Sequence, residues 1–316
     1  MQPLYLNPVF KERIWGGSAL YDQFGYSIPS KKTGECWAIS GHSNGQSIVK
    51  AGKYKGRTLG DLWENNRELF GNYPSPVFPL LTKILDANAD LSIQVHPDDE
   101  YAKKYVNGEL GKTECWYIVD CKENAEIILG HFAKSKMELA DRVEKGQWDK
   151  LLNRIIVKPG DFFYVPSGTI HALCEGILVL ETQQSSDITY RVYDYNRKDR
   201  NGKKRELHIE KALEVIHVPC IKNQIEPKVE KQGKNTITTF IQAREFTVYK
   251  WEIYEEAKMV QDQPFQLVSL INGTGILTAN GETYTIQKGD HFILPAQIGM
   301  ITINGDFEAL VSHPRT

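Results

Sequence analysis

Residues 160–173 read GDFFYVPSGTIHAL. A glycine turn leads into a short run of aromatic and apolar side chains. A proline and a second turn follow, and a histidine then opens another strand-like run. The pattern returns at 289–301 as GDHFILPAQIGMI. With a shift of 129 positions, Gly160, Asp161 and Pro166 fall on Gly289, Asp290 and Pro295, and His171 falls on Met300. The repeat implies two related β units. One carries an imidazole where the other carries a thioether, so the two units are expected to differ in chemistry.

The surrounding sequence supports a mainly β chain. KTECWYIVD (112–120), NAEIILG (124–130) and GILVLET (176–182) are short, rich in β-branched and aromatic residues, and bounded by turns. TVYKWEIYE, FQLVSLING, GMITING and FEALVSH continue the pattern to the C-terminus. Such spacing suggests a sandwich, barrel or jelly roll. Helical periodicity appears at 58–71, 98–108, 134–153 and 208–216, all in the first unit, and the simplest reading of each is a packing helix. The segment IKNQIEPKVEKQGKN (221–235) is polar and mixed in charge and reads as a linker. The expected organisation is residues 1–220 with helical insertions and residues 221–316 as a second barrel.

Bulk properties narrow the function. With 41% hydrophobic and 25% charged residues, the composition is that of an ordinary soluble globular protein. A net charge of -2 gives no global attraction to nucleic acid or to an anionic membrane. The five cysteines form no C-x-x-C pair and are odd in number, so a disulfide framework or thiolate zinc site is not expected. MQPLYLNPVFKERIWGG has no apolar h-region, and no apolar run approaches the ~18 residues that span a bilayer. A cytoplasmic location is expected.

Residues 160–171 resemble the second conserved motif of the cupin superfamily, G-D-x-x-x-x-P-x-G-x-x-H, through Gly160, Asp161, Pro166, Gly168 and His171. The resemblance implies two jelly-roll barrels, with His171 as a metal ligand inside the first and a metal-free second barrel with Met300 buried in it. A lone histidine makes no site, so partners matter. In LSIQVHPDDE (91–100), Gln94 and His96 are spaced i, i+2 and share one face of a strand. Glu114 heads the strand after GKT. Two imidazoles and a carboxylate are a frequent catalytic zinc set.

Three separated motifs resemble one family within the cupins, the type I phosphomannose isomerases. These are FPLLTKILDANADLSIQVHPDDEYA, GKTE at 111–114, and HALCEGILVLETQQSSDITYR at 171–191; PVFKERIWGG near the start fits its short bacterial branch. The resemblance implies isomerisation of mannose 6-phosphate to fructose 6-phosphate through an enediol, with one zinc per chain. Its implied ligands are Gln94, His96, Glu114 and His171. Its implied catalytic residues are Lys112, Asp187 and Arg191. Lys83 and Glu181 are implied substrate contacts, Glu181 with one residue more between it and His171 than the pattern has. The longer members follow their arginine with A-G-x-T-P-K, and this chain has VYDYNR instead, so Arg197 is chosen for the phosphate on charge and position. Asp187 and Arg191 are expected to pair.

The expected partner is a small sugar phosphate, without nucleic acid or membrane, and the expected state is a monomer. Two alternatives stand beside this reading. One is another metal-dependent cupin enzyme such as an oxygenase; the other is a non-catalytic sugar-phosphate binder.

Overall fold

The computed structural model describes residues 1–106, 108–198, 201–221 and 225–315. Asp199 and Arg200 of the basic run at 197–206, and residues 222–224 of the expected linker, lie outside them. The described residues form antiparallel sheets of ten, six and five strands with short helices between them. Among the described residues, no helix is long and apolar enough to cross a membrane.

The first barrel is built from the two smaller sheets. The six-stranded sheet runs in the order Phe162–Val165, Glu114–Cys121, Ile177–Gln184, Leu80–Ala87, Thr33–Ser40 and Val9–Gly17. The five-stranded sheet runs Tyr190–Tyr193, Ile93–Val95, His171–Leu173, Glu126–His131 and Leu152–Ile156. Alternation sorts the side chains. Ile177 and Val179 turn inward with Trp116, Ile118 and Leu173, whereas Leu178 and Leu180 turn outward to another core. Helices Asp99–Tyr105, Lys136–Glu144 and Ile209–Val215 cover the far side of the five-stranded sheet. Asp98 and Ser135 cap the first two of these, accepting from Tyr101 N and Glu138 N.

The ten-stranded sheet forms the second barrel around Phe292, Leu294, Ile301, Ile303 and Phe307. Leu4–Asn7, from the start of the chain, pairs with His291–Pro295 in this sheet, and Ile48–Val49 pairs with Leu4–Asn7. A cut at residue 220 therefore crosses strand pairs. The outward face of the six-stranded sheet packs on the second barrel through one core that includes Ile84, Leu180, Phe265, Leu267 and Ile293. Phe265 sits among Trp63, Phe70 and Phe78 at ring-centroid distances of 5.3–6.1 Å.

Two expectations change. Part of the expected linker is ordered, since Lys228–Gln232 pairs with Asn235–Gln242 as an edge hairpin; its polar sequence reflects a strand whose side chains are all exposed. Met300 is 61% exposed rather than buried. The cause is Gly299, whose φ of +75° is one that L side chains rarely adopt. Its counterpart in the first copy is Ile170. The left-handed step shifts the alternation by one, so Ile301 and Ile303 face the second core while Met300 faces out.

Candidate metal centre

The site forms where two rows of directly paired residues face each other across the first barrel. In the six-stranded sheet, Trp37 pairs with Lys83, Lys83 with Glu181, and Glu181 with Trp116. In the five-stranded sheet, Gln94 pairs with His171 on one side and Arg191 on the other. Direct partners in an antiparallel ladder project to the same face. Trp116 meets the His171 ring edge-on at a centroid distance of 5.4 Å, which closes one end of the space between the rows. Glu181 thus faces inward, beyond Ile177 and Val179, despite its extra residue of spacing from His171.

His96, Glu114 and His171 converge at the closed end. Their ligand atoms lie within 4.8 Å of one another, and all three side chains are 1% exposed. His171 Nδ1 is 2.8 Å from the Thr169 carbonyl oxygen, which fixes the proton there and leaves the Nε2 lone pair facing Glu114 Oε1 at 3.3 Å. Burial lowers the pKa of His171 to about 4. Burial first, and then the charge of Lys112, holds His96 well below the usual histidine range. Both rings are therefore neutral near pH 7, the form that ligates metal.

Glu114 tests whether an ion belongs here. Among the described residues neither of its buried oxygens accepts a directed hydrogen bond, although Lys112 Nζ stands 2.9 Å from Oε2 as an ion pair. Lys112 offsets the carboxylate's charge from the Oε2 side, but Oε1, buried and facing the His171 lone pair, is costly without a further electrophile, and the donor set of two neutral imidazoles and a carboxylate suits a divalent ion. The group fits a metal. Gln94 lies alongside, its amide nitrogen 3.4 Å from His171 Nε2.

Lys112 Nζ also lies 3.0 Å from His96 Nε2. Burial opposes its charge, but Glu114 and Glu181 prevail and hold its pKa above the usual lysine range. Glu181 moves upward, first through burial and then through the nearby charge of Glu114, against Lys112 and Lys83. Trp116 Nε1 donates to Glu181 Oε2 at 3.0 Å, while Oε1 has no hydrogen-bond donor among the described residues. Lys83 Nζ is 3.5 Å from Oε1.

A cavity of about 480 Å³ opens from this end, and Lys83, Gln94, Lys112, His171, Glu181, Asp187 and Arg191 line it. The expected Asp187–Arg191 pair does not form. Asp187 Oδ2 accepts from Asn44 Nδ2 at 2.9 Å, and Arg191 donates to Ser92 Oγ and to the Glu206 carbonyl oxygen. Arg197 does not line the cavity. Its guanidinium binds Asp194 and the Asp90 carbonyl oxygen and lies against Tyr195. Arg13, Glu35 and Arg205 line the cavity instead, unforeseen in the sequence. The alternation Lys11-Glu12-Arg13 in the strand Val9–Gly17 was the available signal for Arg13.

Comparison with known proteins bears on the whole chain. Residues 4–135 match the family model for the phosphomannose isomerase type I catalytic domain, and residues 236–314 match that for the mannose-6-phosphate isomerase cupin domain. The chain is 56% identical to mannose-6-phosphate isomerase ManA of Bacillus subtilis (strain 168), over 99% of each chain. It is 54% identical to a mannose-6-phosphate isomerase of Streptococcus mutans serotype c, over 99% of this chain and 98% of the other. A crystal structure of mannose 6-phosphate isomerase from Bacillus subtilis superposes with a TM-score of 0.97 at 58% identity, covering 99% of this chain and 100% of that one. With both catalytic and cupin models matched around a buried His-Glu-His group, this chain belongs to the type I mannose-6-phosphate isomerase family.

Proposed function

We propose that the chain is an aldose–ketose isomerase that interconverts mannose 6-phosphate and fructose 6-phosphate. The observation that carries this reading is the buried group of His96, Glu114 and His171, set beside Lys112 and Glu181 at the closed end of one cavity. His96, Glu114, His171 and Gln94 would hold a zinc ion, one per chain. When bound, the ion supplies Lewis-acid polarisation of the sugar oxygens.

The reaction moves a proton between C2 and C1 of the open-chain sugar and needs a base, a stabilised oxyanion and a fixed substrate. Glu181 serves as the base through Oε1, which has no hydrogen-bond donor among the described residues. It takes the C2 proton; the C2–H electrons form the enediolate C=C bond as the C1 carbonyl π electrons move to O1; the O2 proton then passes to O1, and as C2=O forms the C=C electrons take the proton back from the same Glu181 oxygen at C1. Trp116 fixes the carboxyl through the other oxygen. The Lys112 ammonium, kept charged by its carboxylate neighbours, faces the developing oxyanion, and Arg191 supports that charge from the opposite row. Asp187 orients sugar hydroxyls, and Lys83 holds Glu181 from its neighbouring strand.

In this reading residues 1–220 carry the chemistry and residues 221–316, joined by Leu4–Asn7 and Ile48–Val49, form a metal-free supporting barrel. The protein works as a cytoplasmic monomer on a small sugar phosphate. The test is conversion of mannose 6-phosphate before and after chelation and with zinc restored. Turnover lost and regained supports the reading. Binding without turnover in the zinc-loaded protein would instead make it a sugar-phosphate binder.

A further inference from the structure

We propose that a phosphate monoester is gripped at the open end of the cavity by Arg13 and Arg205, each pre-set by its own carboxylate, Glu35 and Asp194. This deepens the isomerase reading and rests on it for the identity of the sugar.

Both arginines line the cavity, and both lie toward solvent, with side chains 33% and 25% exposed against 1% for the metal-binding group. Arg13 sends Nε and Nη2 to the two oxygens of Glu35, at 2.8 and 3.1 Å. Glu35 is fixed in turn by Trp37 Nε1, at 2.7 Å. Arg205 sends Nε and Nη2 to the two oxygens of Asp194. Each fork is thus held by one edge, while the Nη1 of Arg205 has no protein acceptor among the described residues and that of Arg13 has only a long contact of 3.3 Å to the Glu12 carbonyl oxygen. A guanidinium immobilised by a carboxylate loses little freedom on meeting a second acceptor.

Charge balance separates this arrangement from ordinary surface ion pairs. Asp194 is shared between Arg205 and Arg197, one carboxylate against two guanidiniums. Arg191 is close enough that burial, and then the charges of Arg205 and Arg197 against those of Asp194 and Glu206, lower its pKa. Like charges crowded beside a cavity repel one another, and a dianion in the cavity relieves them. The metal-binding group is buried while these arginines stand partly exposed on the same cavity, an arrangement suited to a sugar whose reacting carbons enter first and whose phosphate trails toward solvent. Arg197, whose nitrogens are taken by Asp194 and Asp90, acts as a brace for Asp194.

The test is titration of inorganic phosphate by calorimetry, with steady-state kinetics on mannose 6-phosphate, for the zinc-loaded wild type, Arg13→Ala and Arg205→Ala. Each loss of a charged hydrogen-bonding group is expected to weaken phosphate binding by roughly 10- to 100-fold, with KM for the sugar phosphate rising in parallel and kcat moving far less. Glu35→Gln and Asp194→Asn, which release the forks but keep the arginines, raise KM by a smaller factor. If an alanine variant fails to fold, Arg13→Lys or Arg205→Lys keeps the charge without the fork and still predicts weaker phosphate binding. Phosphate affinity and KM within twofold of wild type in both arginine variants would overturn the assignment. Loss of phosphate binding in both variants, with no turnover by the zinc-loaded wild type, would leave the phosphate grip standing and remove the isomerase reading.

Discussion

Lys112 and Glu114, two positions apart at the head of one strand, hold opposite charges 2.9 Å apart with both side chains buried. Removing one charge of a buried pair leaves the other uncompensated, typically at a cost of about 3–5 kcal/mol. Lys112→Met is therefore expected to lower kcat by at least about 100-fold. It should also lower the melting temperature, more in chelated than in zinc-loaded protein, because a bound cation takes over the compensation. Calorimetry on both forms checks this; equal shifts would refute it.

Glu181→Gln keeps the volume and the Trp116 contact but removes the base. Turnover is expected to fall roughly 10³-fold, within the usual range for loss of a general base, with KM little changed. Exchange of the C2 proton of bound sugar with solvent, followed by NMR, should be lost with it. Retained exchange would move the base elsewhere.

Gly111, beside Lys112, has no room for a side chain, because a Cβ would collide with the backbone of Asp98 and Asp99. Its N–H donates to Asp99 Oδ1 at 2.8 Å. Gly111→Ala must push the loop carrying Lys112 away from the helix start. A loss of roughly 10²-fold in kcat is expected, as for a small misplacement of a catalytic group. Unchanged kinetics would show that the loop tolerates displacement.

His291 predicts the response to acid. It is 1% exposed, with Nε2 2.7 Å from the Tyr26 hydroxyl and Nδ1 2.9 Å from Ser269 Oγ. Burial lowers its pKa from 6.5 to about 3. Between these values the unfolded chain binds a proton that the folded chain does not, so stability falls as pH drops from 6.5 toward 3. At ~1.4 kcal/mol per pH unit, the window spans at most about 4–5 kcal/mol. His291→Gln, which does not titrate, should flatten the fall measured by denaturant unfolding at successive pH values. An unchanged slope would assign the acid sensitivity to other groups.

Phe265 joins the two barrels through the cluster of Trp63, Phe70 and Phe78. Phe265→Ala is expected to cost about 3–5 kcal/mol and to lower the single melting transition as a whole. Two separated calorimetric transitions would show that the halves unfold independently.

The inner ring of the site was largely legible in the sequence. Gln94, His96 and Lys112-x-Glu114 declare themselves because period-two alternation places i and i+2 together, and His171 closes a turn whose glycine and proline are visible. Met300 misled because one left-handed residue, Gly299, rephases a strand without altering the repeat. Arg197 misled for a different reason. Position along the chain does not reveal which of two neighbouring arginines a shared carboxylate turns toward solvent, and Asp194 holds Arg205 toward the cavity. The pairing of the first strand with one near the chain's end has no local signature either, since register across such a distance depends on matched faces alone.

That last pairing bears on how the molecule is made. Leu4–Asn7 is synthesised long before His291–Pro295, the strand it joins. Leu4–Asn7 must wait for its partner while all the residues between the two strands emerge, and closing so large a loop is slow. The metal-binding strands can associate earlier. The second sheet is completed from both ends of the chain at once, so its final seam forms only after synthesis has passed Pro295.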